Sequence, residues 1–424
     1  MAAGPQTVNI VILGTLDTKL AEFLYLRSQI LELNPSINVI LIDVGRSSTT
    51  HDAITVSQPE VYRRSTHKNA ENLQSMERSE VIATMLSGAK VVVNNLLADG
   101  KVHGVVSLGG SCGTSMASGV MRDLPLTMPK LLVSTVASGD TSWYVGESDI
   151  TMMYSVVDIA GLNELLRSVI RNAAAAIVGM AVSYYHASST TKKDAKRKKS
   201  VGITMFGVTT PAADKARRWL EGQGFEVCVF HATGSGGRAM ERLIREHRLD
   251  GVLDLTTTEL ADELVGGVMS AGEDRLKAAA TEGIPQVVSV GALDMVNFGP
   301  VHSVPKHLQH RNIYEHNPSV TLVRTTPDEC EELGKRLATR LRNSCQRPKL
   351  TEVWLPLRGV SIISVEGQPF YDKKADEALF GAIKRELDGT DITVKEVDAD
   401  INDPSFAEDL ARRLSELLTE KGSQ

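Results

Sequence analysis

The sequence predicts an α/β protein built from two tandem, doubly wound, Rossmann-like parallel-sheet domains. Three observations carry that reading. Short β-branched apolar runs alternate with amphipathic helical stretches. The second half repeats the layout of the first. Turns rich in glycine and hydroxyls follow the apolar runs, where an open parallel sheet places its ligand loops. The alternation implies βαβ units with right-handed crossovers.

In the first half, strands are predicted at Val8–Leu13, Ile37–Val44, Gly104–Leu108 and Lys130–Ser134. Between the first two, KLAEFLYLRSQILEL brings Leu20, Phe23, Leu24, Ile30 and Leu31 to helical spacing. A further helix starts near Ser79, which can serve as its N-cap. LNELLRSVIRNAAAAIVGMAVSYY reads as a long helix with a small-residue face at Ala173, Ala176, Gly179 and Met180, suited to an inter-domain or dimer contact. In the second half, Val201–Phe206, Glu226–Phe230, Gly251–Leu255 and Gln286–Val290 are strands, with helices from Ala213 and Arg238. ILGTLDTK then answers MFGVTTP, GVVSLGGSCGTS answers GVLDLTTTELAD, and PKLLVSTVASGD answers PQVVSVGALD. The tail adds a strand at Val353–Leu357, a helix after Asp372, a strand at Ile392–Val397 and a helix from Ser405. The domains are thus residues 1–187, nucleotide-binding, and 201–424 with its C-terminal extension. The basic stretch 188–200 reads as a solvated linker.

Composition narrows the function. Of 424 residues, 42% are hydrophobic and 23% charged, the balance of a soluble globular protein. The net charge of −6 gives no global attraction for nucleic acid, and 4% aromatics supply no stacking platform. The four cysteines show no CxxC or zinc spacing, and no secretory leader or spanning segment stands out, so a cytoplasmic location and no membrane partner are expected. His302, His307, His310 and His316 fall in one short stretch, but without HExxH spacing or a cysteine, and Pro305 interrupts it; an exposed loop is expected and no metal.

The chemistry gathers at strand ends. The first domain offers Gly14–Lys19, Asp43–Arg46, Gly109–Ser115 and Ser134–Asp140. Amides and cations there suit phosphates, hydroxyls suit a sugar, and carboxylates suit a sugar or Mg²⁺. VVSLGGSCGTS matches neither GxGxxG nor GxxxxGK[ST], so by itself it is either a phosphate cradle or a tight strand-to-helix turn. Some thirty residues, Ser47 to Arg78, are inserted at this edge and read as a lid. In the second domain, GSGGR before a helix forms a second anion nest from Gly234, Gly236, Gly237 and Arg238. His231, Glu259 and Asp294, with Asn297 nearby in sequence, are candidate acid–base or metal-binding groups.

LGTLDTK, STVASGDT, GITMFGVTTP, FHATGSGGRAMERL, LDLTTTELAD and SVGALDMVNFGP resemble the ATP-binding domain family of the tomato mosaic virus resistance protein, which has bacterial and fungal relatives of undefined activity. The resemblance covers essentially the whole chain. It implies two Rossmann-like subdomains, self-association as a homodimer, and ATP, with or without Mg²⁺, in the first. Matched by motif, the ATP contacts fall on Asp17, Thr18 and Lys19, with Gly110, Ser111, Cys112 and Gly113 as the phosphate loop. Arg46 and Arg78 match by position. GGSCG departs from the plant GGSGG, and Cys112 restricts the turn if that position requires a positive φ. The plant protein's antiviral activity depends on surface residues outside these motifs.

Two function classes follow. The first is an ATP-binding regulatory protein whose bound state recruits a protein partner; neither a Walker lysine nor a catalytic base is evident. The second is a hydrolase or lyase acting on a phosphorylated or carboxylated small molecule at the second-domain loops.

Overall fold

The computed structural model describes residues 7–66, 73–190 and 197–421. They form two compact units, Met1–Ala195 and Lys196–Gln424. The first unit runs β1 (Asn9–Gly14), α1 (Leu16–Leu33), β2 (Asn38–Asp43), α2 (Gln58–Arg63), α3 (Arg78–Ala98), β3 (Gly104–Gly109), α4 (Ser111–Met121), β4 (Lys130–Ser134), α5 (Ser142–Val145), β5 (Thr151–Tyr154) and α6 (Glu164–Thr190). Its five strands are parallel, in the order β2-β1-β3-β4-β5.

Alternation along each strand explains the layers. Ile10, Ile12, Val106, Leu108, Leu131 and Val133 pack on Phe23, Leu26 and Ile30 of α1 and on Leu166, Ile170 and Ile177 of α6. The intervening Val11, Leu13, Val105 and Leu132 pack on Met85 and Val92 of α3 and on Met116 and Val120 of α4. Both faces are covered, so the strands read as apolar runs rather than alternating ones.

The second unit repeats this plan. Its elements are β6 (Ser200–Met205), α7 (Thr210–Gly222), β7 (Glu226–His231), α8 (Ser235–Arg245), β8 (Gly251–Thr256), α9 (Glu259–Val265), α10 (Ala278–Glu282) and β9 (Gln286–Gly291). After them come β10 (Met295–Phe298), β11 (Ile313–Asn317), β12 (Val320–Arg324), α11 (Pro327–Ser344), β13 (Thr351–Pro356), α12 (Lys373–Leu387), β14 (Thr393–Val397) and α13 (Pro404–Lys421). The six-stranded parallel sheet is ordered β14-β13-β9-β8-β6-β7. With the strands numbered within each parallel sheet, both orders therefore begin 2-1-3-4-5. The first, third and fourth strands of the two units are the segments whose sequences answer one another. Strand order reverses between β1 and β3, and again between β6 and β8.

Some elements escape the sequence. β5 is a four-residue edge strand, TMMY, without β-branched alternation beyond its first residue. The antiparallel sheet β10-β12-β11 and helix α11 are inserted between β9 and β13. Its β11 strand occupies part of the histidine-rich stretch read as loop, and the four histidines there are exposed. Helix α3 starts at Arg78, with Glu77 N–H donating to the Glu80 carboxylate (3.3 Å), so Ser79 is not its cap. Of the basic stretch read as a linker, 191–196 lies outside the described residues. Arg197 pairs with Asp250 at 3.0 Å, and Lys199 donates to Leu418 O at 2.8 Å. The inserted segment after β2 also has a fixed part: Asp43 N donates to Val56 O (2.9 Å) and Val56 N to Leu41 O (3.1 Å), which covers the edge of β2. Residues 67–72 of that insertion lie outside the described residues.

Close helix contact sets one sharp requirement. A Cβ on Gly88 of α3 would stand 2.1 Å from the Val61 carbonyl oxygen of α2. Gly88→Ala is expected to destabilise the first unit by about 1–3 kcal/mol through overpacking, measured as a lowered urea midpoint.

Candidate functional site

At the β1/β3 reversal the two crossover helices leave opposite faces of the sheet and a crevice opens between their loops. A cavity of about 570 Å³ lies there. Asp17, Thr18, Lys19, Arg46, Arg78, Gly110, Ser111, Cys112 and Gly113 all line it, so the structure brings together the nine residues matched to nucleotide contacts, while no residue of the fourth strand-end loop, Ser134–Asp140, is in its lining. Val44, Val81, Ile82 and Met116 complete an apolar wall that no polar motif could announce.

Each loop is shaped by specific bonds. The buried Asp43 carboxylate accepts from Gly45 N (2.9 Å), Leu16 N (3.3 Å) and Thr49 N (3.4 Å), which folds the β2 loop back on the start of α1. Burial raises its pKa, and these amides oppose the rise. An acid at the end of the second strand is a ribose ligand in many such folds; here it is consumed internally. Asp17 Oδ2 accepts from Arg46 N (3.0 Å) and Ser47 N (3.1 Å), joining two walls of the cavity. A Cβ at Gly45 would lie 2.6 Å from Asp17 Oδ1, so this junction requires glycine.

Among the described residues, three cationic side chains reach the cavity. The Arg46 guanidinium donates to the carbonyls of Leu73 (3.2 Å), Gln74 (2.5 Å) and Met76 (2.7 Å), fastening the chain that leads into α3. Carbonyls do not neutralise it, so its charge still acts on the cavity. Arg78, exposed, opens α3. Lys19 occupies a non-helical backbone position inside α1 (φ −137°, ψ 28°), and its ammonium donates to Ile159 O.

The fourth wall is the amino end of α4. Its first donor to the chain behind is Thr114 N, to Gly110 O at 2.8 Å, so the amides of Ser111, Cys112 and Gly113 precede the helical ladder. The helix dipole adds partial positive charge at this point. Gly109 is needed for space rather than for positive φ: a Cβ on it would come within 2.7 Å of the Gly113 carbonyl carbon, whereas one on Gly110 would meet only Thr135 Oγ1, at 3.8 Å. Cys112 lies inside α4 and is not among the positive-φ positions, so a cysteine suits this turn.

The second unit uses its polar groups differently. The nest predicted at GSGGR exists, but its anion is internal: Glu259 Oε1 accepts from Gly234 N (2.7 Å) and Gly237 N (3.1 Å). A Cβ on Gly237 would stand 2.1 Å from Glu259 Oε2. Gly236 instead lies against the backbone of His231, and Arg238 donates to Ser270 O (2.9 Å). The fully buried Arg275 contacts Glu259 (2.6 Å), both oxygens of Asp254 (2.5 and 2.6 Å) and Glu241 (3.4 Å). Burial alone would favour neutral arginine, yet the surrounding carboxylates, Asp254 foremost, hold it protonated. Glu259 and Glu241 are pushed up by burial and pulled back by Arg275.

His231, Glu259 and Asp294 form no constellation. His231 is exposed, its ring 5.4 Å from that of Phe206, whereas Glu259 and Asp294 are sealed. Asp294 accepts from Ser361 Oγ at 2.8 Å, and burial raises its pKa. Asn297 donates its backbone N–H and side-chain amide to Asp262 (2.6 and 2.8 Å). Burial carries Asp262 to about 7 in spite of these bonds.

The fold and its cavity thus define a two-unit α/β protein with a ligand-sized crevice at the switch point of its first sheet. The chain belongs to the uncharacterised protein family UPF0261, whose N-terminal domain model matches residues 8–186 and whose C-terminal domain model matches residues 198–418. A UPF0261 protein of Clostridium tetani is 44% identical over 410 residues, covering 97% of this chain and 99% of that protein. A Rhizobium meliloti member is 42% identical over 401 residues, 94% of this chain and 96% of its own. The ToMV resistance protein Tm-1(GCR237) of Solanum lycopersicum is 38% identical over 431 residues, 98% of this chain but 56% of the plant protein.

The raised Asp262 makes a pH prediction. A carboxyl titrating at about 7 in the folded chain, against ~3.9 unfolded, stabilises most below the unfolded value, and that contribution is lost as pH rises through 7. Asp376, also raised to about 7 by burial, acts in the same direction. The urea midpoint of the second unit should fall between pH 5 and 7.5, and less steeply in Asp262→Asn. An equally steep fall in the variant would refute the assignment to Asp262.

Proposed function

We propose that the first unit binds ATP at the β1/β3 crevice and acts as a nucleotide-dependent regulatory or partner-binding protein. The observation that carries this reading is the single cavity shared by the nine residues, with a helix amino end, three cations and an apolar wall. Ser111, Cys112 and Gly113 amides and the Lys19 ammonium suit phosphate oxygens; Arg46 and Arg78 add positive charge; Val44, Val81, Ile82 and Met116 suit the base. Asp17 is the one carboxylate on this wall among the described residues, so a magnesium ion accompanying the nucleotide would meet Asp17 and the phosphates. Its chemistry would be charge neutralisation. Asp17 also positions the loops through its bonds to Arg46 and Ser47.

Among the described residues the wall offers Thr15, Thr18, Ser111 and Cys112 but no histidine and no second carboxylate, which supports retention of the nucleotide rather than rapid turnover. The homodimer implied by the sequence resemblance belongs to the same reading. The tomato relative's name concerns virus resistance, and its protein extends well beyond the matched region, so that role stays with the plant protein.

Calorimetric titration with ATP, with and without Mg²⁺, tests the reading. The parent chain should show saturable binding, and Lys19→Ala should weaken it about ten-fold, roughly 1.4 kcal/mol. No saturable heat in the parent at millimolar ATP, or equal affinity in the variant, would sink it.

A further inference from the structure

The C-terminal sheet ends at β14. Among the described residues β14 pairs with β13 alone. Val397 O accepts from Leu357 N at 2.9 Å, so the peptide groups of Val397 face β13. Alternation along the strand then turns the N–H and C=O of Val394 and Glu396 outward. At the carboxyl ends of β13 and β14 lies a groove of about 800 Å³, walled by α12 and by the chain that follows each strand, and Glu396 carries its lining onto β14. Along α12, Lys373, Glu377, Phe380 and Lys384 recur at helical spacing and share one face of it.

The charge of the groove selects its occupant. Its lining carries six carboxylates against three cations. Each cation is already matched: Arg358 forks onto Asp398 (2.7 and 2.6 Å), Lys384 meets Glu396 (2.6 Å), and Lys373 meets Glu377 (3.8 Å). Asp376 is paired from outside the groove, by Arg324 at 2.8 Å. Glu366 and Asp400 remain as the negative excess. Leu357 and Tyr371, each more than two-fifths exposed, give the rim apolar purchase.

We infer that this groove docks an extended, lysine- or arginine-rich polypeptide segment of a partner protein, which adds as a strand beside β14. Strand addition satisfies the outward peptide groups, alternate basic side chains meet Glu366 and Asp400, and an apolar side chain covers Tyr371. A nucleic acid has the wrong sign. A small polyamine matches the charge but leaves the edge amides unmet.

Fluorescence anisotropy on the full chain tests this with a labelled decapeptide of alternating lysine and valine. Saturable binding that weakens with salt is expected. A glutamate–valine peptide, and the lysine peptide N-methylated at alternate residues, should each bind at least ten-fold more weakly. Glu366→Lys combined with Asp400→Asn, which keeps a side-chain oxygen for the Asn402 amide (2.8 Å), should lower affinity at least ten-fold with an unchanged melting midpoint. Equal binding of the N-methylated peptide, or displacement by equimolar spermine, would overturn strand addition. Sedimentation showing self-association abolished by the double substitution would replace the partner segment with a second copy of the chain, and so overturn the inference as stated.

Discussion

Amides at the carboxyl ends of parallel strands need acceptors, and the choice of acceptor separates an open site from closed ones in this chain. In the first unit Asp43 and Asp17 take five loop amides, those of Leu16, Gly45, Thr49, Arg46 and Ser47. The first turn of α4 is left facing the cavity. In the second unit the corresponding effort goes inward. Glu259 takes the amides of Gly234 and Gly237, and because it is buried it requires Arg275; Asp254 and Glu241 then close around the same guanidinium. Removing one member of such a cluster strands a buried charge, at a cost of about 3–5 kcal/mol. The cluster is therefore coupled internally, and a GSGGR loop that looks like an anion site is a structural joint.

The antiparallel insertion reinforces this difference. Phe206, Val208, Ala292, Met295, Leu322, Ile363 and Phe370 form an apolar cluster that joins the β6 loop, the β9 loop and the strands β10 and β12. Ile362 N donates to Val208 O (3.0 Å) and Ala292 N to Val360 O (2.8 Å), tying the chain after β13 to the same strand ends. The loops MFGVTTP and SVGALDMVNFGP carry Thr209, Thr210, Ser289 and Asp294, yet they support a roof. Thr209 and Thr256 bond each other at 2.7 Å within the buried core rather than presenting hydroxyls to a ligand. Polar composition at a strand end therefore marks hydrogen-bonding demand, which a ligand is only one way to meet.

This explains what could be read from the residues alone. The parallel strands were legible because both faces are buried, and the first-unit cavity was legible because its polar residues cluster just after the strands. β5 was not, since four residues at an edge carry too little pattern. The β10–β12 sheet was hidden because MVNF follows a strand directly and IYEHN is polar on its exposed face. Val44, Val81, Ile82 and Met116 were invisible as site residues because an apolar wall uses the same residue types as a core. The fates of Glu259 and Asp43 were hidden for another reason: a buried acceptor and an exposed ligand have the same letter, and only three-dimensional contact distinguishes them.

Lys19 shows how the cavity is linked to the structure beyond it. Its backbone departs from the helix in which it sits, and its ammonium reaches Ile159 O, in the segment between β5 and α6. One turn on, the buried Glu22 accepts from Gly161 N at 2.6 Å, so α1 grips that segment at two points. Ile159 itself is fully buried among side chains of α1 and α6. An ammonium carries three N–H donors, so under the nucleotide reading Lys19 can hold a phosphate oxygen while keeping its bond to the Ile159 carbonyl. Lys19 and the Gly161 amide on Glu22 then link an occupied cavity to the segment that leads into α6.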